Sequence, residues 1–367
     1  MLAQMTHSAP ADLSHADTIV SHAAARRIAW ADLAKGWSIL LVVIMHSTLG
    51  VGAQVGETGW LHHLVAFAKP FRMPDFFLVA GLFAAAAVDR PWRRFLDKRV
   101  AHFVYFYVLW AAIIILVKVG VETRGDARVL LERFVASLHD PYSSLWFIYV
   151  LPFMFLTVRL TRALPAWLVL AVAALAHVAA QAAAEPTPYA MSSNLTGWFA
   201  LDSYLLFIVF FLAGHYGRDG IFGVAAAAAA RPLASGAVLA VWAALNGAAV
   251  VSGLANAPGF TLVAGLVGAL AVVVASAVLA RFSWMGWLAA IGRNSLVIYL
   301  SFALPMALAR IFLIRSGVIE DVGWLSAATA LFALVTPLVA ARLVAGTPLA
   351  FLYARPAWAR LEPKSGA

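Results

Sequence analysis

Apolar stretches of about twenty residues recur along this chain, and each is long enough as a helix to cross a ~30 Å hydrocarbon layer. Inside lipid every backbone N–H and C=O needs an internal partner, so only helices or closed barrels can span it. The stretches are continuous rather than alternating, which excludes the pattern of barrel strands. Of the 367 residues 63% are hydrophobic and 12% charged, whereas a soluble domain carries roughly a quarter charged residues. The expected fold is an all-α, polytopic transmembrane helix bundle.

About ten spans can be drawn, at 37–55, 64–88, 100–118, 143–160, 166–184, 197–217, 233–252, 259–280, 294–314 and 323–345. If the N-terminus is cytoplasmic, 18 of the 26 Lys and Arg residues fall in inside segments and 8 in outside ones. That asymmetry places both termini in the cytoplasm. The longest outside connection, 119–142, mixes Glu122, Asp126, Glu132 and Asp140 with its basic residues and is expected to fold over the outer mouth. Residues 1–25 lack the apolar core of a signal peptide and read as a disordered cytoplasmic tail.

Several chemistries are excluded early. The chain has no cysteine, which removes disulfides, thiolate nucleophiles and thiolate-ligated metals together. His7, His15 and His22 have no acidic or cysteine partner at ligand spacing, so no metal site is expected. The formal charge of +9 is spread over short segments between spans instead of one face, which fits membrane topology and not nucleic acid. Gly214-x-x-Gly217-x-x-Gly220 follows a membrane helix where a dinucleotide fingerprint would follow a strand. No internal repeat is evident, which weakens a transporter built from inverted repeats.

Three stretches carry chemistry. In the first, Arg27 and Asp32 precede an apolar run that reaches His46, about 21 Å along the helix from Asp32. A histidine inside a span is costly to bury, and neutral imidazole can take a proton from a hydroxyl and pass it on. An interhelical hydrogen bond to Ser or Asp is the alternative use. In the second stretch, Arg72-Met73-Pro74-Asp75-Phe76-Phe77, Asp75 could orient His46 or stabilise its protonated form; its alternative is a local ion pair with Arg72. The third, Arg90 to Arg99, puts five cations in ten residues. Topology and lipid headgroups explain such a loop, and so would the phosphates of a nucleotide-type donor.

In this order the three segments resemble the membrane acyltransferase-3 family. Its members open with Arg and Asp before a first span that contains His, continue with Pro-x-Phe-Phe…Gly in the second, and follow with a basic Phe-Leu-x-Lys-Arg loop. Leu145-Trp146-Phe147, Ile291-Gly292-Arg293-Asn294-Ser295-Leu296, Ile298-Tyr299-Leu300, Pro348-Leu349 and Arg355-Pro356 match as well. The resemblance covers residues 26–358, leaving 359–367 as a second cytoplasmic tail.

The resemblance implies an O-acyltransferase of a bacterial-type inner membrane. Its donor would be a cytoplasmic acyl-CoA, a substrate and not a permanently bound cofactor. Its acceptor would be a hydroxyl of an extracytoplasmic glycan, lipid or small molecule, with membrane lipids as its other partners. Carried over residue by residue, His46 is the catalytic base, and the reading of the second stretch adds Asp75 beside it. Arg27 and Asp32 shape the inner end of the site, Asp32 with the catalytic carboxylates and Arg27 with Arg94 and Arg99 on the donor side. The site should be a tunnel bordered by His46 and reached from inside past Arg99. Two departures stand out: His102 where the family often has Arg, and Ser301-Phe302 where it often has His. A proton-coupled transporter or flippase, with His46 and Asp75 as relays, and a catalytically silent membrane scaffold are the alternative readings.

The charge asymmetry predicts that, in intact cells, an impermeant thiol reagent labels Asp126→Cys and spares Arg94→Cys. The reverse pattern would invert the topology.

Overall fold

A computed structural model describes residues 13–185 and 187–361, with side chains from residue 29 onward except residue 86. Among these residues every regular element is helical. Helix α1 spans Leu13–Val55, starting inside the stretch read from sequence as a tail, and α2 spans Trp60–Leu82. A short helix, Trp92–Leu96, and a π-helical turn, Asp97–Ala101, lead into α3, His102–Glu122. Then come α4 (Trp146–Thr161), α5 (Ala166–Ala182), α6 (Phe199–Tyr216), α7 (Pro232–Val251) and α8 (Phe260–Leu279). Helix α9 is broken at Phe302 into Ser295–Ser301 and Ala303–Ser316, bent by 59°, and α10 spans Val322–Val344.

Each of the ten apolar stretches holds one of these helices, but seven are long and apolar enough to cross a membrane, or eight with bent α9 taken as one span. The count of about ten drawn from hydropathy is therefore not reproduced by length and apolarity. Two helices account for the difference. Helix α2 carries Lys69, Arg72 and Asp75 within 23 residues, and α5 has 17 residues; α4, with 16, is counted only within a longer span, Ala127–Thr161, that takes in the helix before it. The long connection 119–142 is folded: helix Ala127–His139 is capped by Asp126, whose carboxylate accepts from the N–H groups of Arg128 and Val129. The Tyr107 hydroxyl donates to Ser137 O and fastens this helix to α3.

Helices α1 and α2 form the centre. Helix α2 packs on α1, α6 and α8, and α1 also meets α10 and the short helix Gly286–Arg293. At the α2–α6 crossing a Cβ on Gly81 would overlap the carbonyl oxygen of Phe211, and one on Gly214 would overlap that of Leu78. Small residues let membrane helices approach this closely, where dispersion rather than water release drives association. Next to this crossing Phe77 and Phe207, both fully buried, stack with centroids 5.1 Å apart. By contrast α7 exposes Leu233, Val238, Val241 and Leu245, a surface for lipid tails.

Gly214→Val should cost about 1–3 kcal/mol by overpacking, read as a lower thermal midpoint in detergent. Gly220, where an added Cβ meets open space, is the control: Gly220→Ala should leave the midpoint unchanged or raise it slightly. Equal midpoints for the two variants would discount the close crossing.

Candidate active site

The π-helical turn Asp97–Ala101 interrupts the helical phase where α3 begins, and such interruptions are frequent at functional sites. It opens onto a cavity of about 880 Å³. The walls are apolar: Phe76 and Val79 of α2, Phe103 of α3, Phe147, Leu151 and Phe155 of α4, and Leu296 of α9. Cations dominate its charge: among the described residues Lys35, Arg94, Lys98, Arg99, Arg355 and Arg360 stand against the single acid Asp97. Arg99 lies over the Phe155 ring at 4.7 Å and donates from Nη2 to Phe83 O at 3.3 Å, while its buried Nε has no partner among the described residues. Asp97 is committed to the chain itself. Its carboxylate pairs with Arg355 at 2.7 Å and accepts from Leu361 N–H at 2.7 Å.

A second cavity, about 320 Å³, lies around His46. The imidazole packs against Phe302, at the break of α9, with ring centroids 5.4 Å apart. Lys69, Arg72, Ser144, Asp202 and Ser203 share the wall. Phe147 and Tyr299 line both cavities and form the partition between them. The partition is braced. Phe76 stacks on Phe147 at 4.2 Å with parallel rings, and the Tyr299 hydroxyl donates to Ser144 O while accepting from Phe147 N–H at 3.2 Å. Ser143, just before this contact, holds φ at +59°, a costly left-handed setting that the surrounding packing must impose. The continuous tunnel expected from Arg99 to His46 is thus divided in two, because aromatic side chains from α4 and α9 meet across it.

The other residues singled out from sequence disperse. Asp75 is fully buried and accepts from the Ser38 hydroxyl at 2.6 Å; its Oδ1 has no partner among the described residues. Ser38 precedes His46 by eight residues, about 12 Å along α1, and the hydrogen bond of Asp75 goes to Ser38 and not to the imidazole. Nor does Asp75 pair with Arg72, which donates instead to Val65 O and Tyr189 O. Asp32 lies outside both cavities, between Lys35 at 3.6 Å and Arg293 at 3.9 Å. Arg94 and Arg99 do share the large cavity, and His102, one of the two departures, joins them. The Arg27 side chain is outside the described residues.

Sequence reasoning passed over Lys69, Tyr299 and Arg360. Lys69 had a signal, a cation within an apolar stretch, and it proves buried, donating to Thr187 O and Asn256 Oδ1. Tyr299 lay in a stretch that matches the family, Ile298-Tyr299-Leu300, without a role attached to it, and Arg360 had no signal, since a cation near a chain end is ordinary.

Residues 28–343 match a family model described as an acyltransferase domain. No curated protein and no solved structure matches the chain.

Proposed function

This chain belongs to the acyltransferase-3 family, and from that premise we propose that it moves an acyl group from an acyl-CoA in the basic cavity to a hydroxyl in the cavity of His46. The acceptor is an extracytoplasmic glycan, lipid or small molecule. The setting is a bacterial-type inner membrane, with the basic cavity open to the cytoplasm. One observation supports the reading: a cation-rich cavity and the cavity of His46 share two lining residues, Phe147 and Tyr299.

Each half suits its substrate. About 880 Å³ lies near the upper end of ligand pockets, room for an extended donor. Phosphates suit the guanidinium rim, and the acyl and pantetheine parts suit the aromatic walls. On the far side the His46 imidazole takes the proton of the acceptor hydroxyl, and the alkoxide oxygen attacks the thioester carbonyl. The tetrahedral intermediate then collapses, the C–S bond breaks, and the leaving thiolate takes the proton back from the imidazolium. Reaction requires the thioester to reach the partition, so Phe147 or Tyr299 must yield or be bypassed at that moment.

Mass spectrometry of glycans and lipids from cells with and without the protein should show a product heavier by one acyl group; identical profiles would overturn the reading. His46→Ala and His46→Gln, compared at matched expression and thermal stability, should lower turnover at least a hundred-fold, as loss of a general base does by roughly 10²–10⁴. Near wild-type turnover in both would remove the catalytic assignment. Arg99→Ala should raise the KM for acyl-CoA by roughly ten- to a hundred-fold, the effect of losing a charge-assisted contact worth ~1.5–3 kcal/mol, while the acceptor KM stays put. An unchanged donor KM would return Arg99 to a structural role at the helix break.

A further inference from the structure

The match to the acyltransferase domain ends at residue 343, yet the wall of the basic cavity does not. Ala354, Arg355 and Arg360 line it from a C-terminal segment, residues 345–361, that follows α10. We propose that this segment is a built part of the donor site, and that Arg360 holds a phosphate of the nucleotide end of a coenzyme A thioester. The proposal rests on the acyl-CoA reading above and adds to it which residues meet that end of the donor.

The segment is fastened across the mouth by bonds of several kinds. Tyr105 OH donates to Phe351 O at 3.0 Å, Trp110 Nε1 to Leu352 O at 2.9 Å, and Tyr353 OH to Ser301 Oγ at 3.1 Å. Thus α3 and the first half of α9, which themselves wall the cavity, also carry the segment. Ser301 is the position where the family often has histidine, and here its hydroxyl serves as an anchor point. The strongest tie is the Arg355–Asp97 pair, with both side chains largely buried. Arg355 Nη1 also donates to Asp97 O at 2.8 Å, and Arg93 Nε to Leu361 O at 2.9 Å.

Charge decides which arginine is anchor and which is ligand. Arg355 is neutralised by Asp97, the one acid among the described residues of the cavity wall, and both of its Nη atoms are occupied. Arg360 donates from Nη2 to a neutral acceptor, Arg355 O, at 3.3 Å and meets no carboxylate among the described residues. It faces the same cavity as Lys98 and Arg94. A planar guanidinium suits the oxygens of a phosphate, which can accept two of its N–H groups together. An apolar channel ending in such a rim fits a ligand with an apolar reactive end and a polyanionic tail, which is the build of an acyl-CoA.

The test is calorimetric titration of the purified full chain with coenzyme A and with 3′-dephospho-coenzyme A. Arg360→Ala should weaken coenzyme A binding roughly ten-fold or more, Arg360→Lys should restore part of it, and the unliganded thermal midpoint should not move. A loss that vanishes with the dephospho form identifies the 3′-phosphate as the group held; a loss that persists identifies the diphosphate. Wild-type binding of coenzyme A with equal binding by Arg360→Ala overturns the role of Arg360 while leaving the donor reading intact. Absence of wild-type binding overturns both.

Discussion

Lipid cannot solvate the charges of α2, and much of the bundle is arranged to answer that constraint. Lys69, Arg72 and Asp75 lie within two turns of one helix and all three are buried. Isolated in hydrocarbon, each would cost several kcal/mol. Helix α2 is therefore enclosed by α1, α6 and α8, and the polar partners arrive from those neighbours and from connections. Ser38 of α1 serves Asp75; the carbonyls of Thr187 and Tyr189, on the connection between α5 and α6, serve Lys69 and Arg72. The two prolines of α2 fit the same picture. Pro74 leaves the carbonyl of residue 70 without its helical donor, and Pro70 does the same for residue 66, which is tolerable only in a helix enclosed by protein.

The same enclosure creates the site. Because α2 is central, its Phe76 and Val79 face the basic cavity while Lys69 and Arg72 face the cavity of His46. Phe147 and Tyr299 then separate the two spaces with packed aromatic surface. Under the proposed reaction such a division also keeps the two substrate spaces apart, since an open passage would leak ions across the bilayer. Breaks in regular helix occur around the two cavities: the π-turn at Asp97, which lines the basic one, the bend of α9 at Phe302, which packs on His46, and the strained backbone of Ser143, next to Ser144 in the wall of the second. Irregular backbone at depth survives only where protein or a cavity surrounds it, and here it borders one.

Buried charge recurs at the other end in a different form. The Arg355–Asp97 pair joins the C-terminal segment to the loop that opens α3. A buried ion pair contributes little net stability, but removing one partner leaves an uncompensated charge worth about 3–5 kcal/mol. Its effect is therefore positional: it makes one location of the segment far better than any other. That location brings Arg360 to the cavity.

Hydrophobic length read along the chain was enough to determine the helical class, because in lipid the run of apolar residues leaves backbone groups no other way to pair. Every apolar stretch holds a helix, and the family resemblance, which depends on residue order alone, holds for residues 28–343. That His46 is an ionisable group within an apolar helix was legible for the same reason: an imidazole in a span is conspicuous against apolar neighbours. What Asp75 touches was not legible. Arg72 sits three residues from it and His46 on the adjoining helix, yet Ser38 takes the carboxylate, since the rotation and depth of α1 against α2 set which groups meet. The partition could not be read either: Phe147 and Tyr299 stood in two family-matching stretches, but 152 residues separate them and nothing in residue order says that α4 and α9 bring them together. Sequence fixes which side chains are too costly to leave in lipid, whereas the packing of helices decides which of them share a cavity.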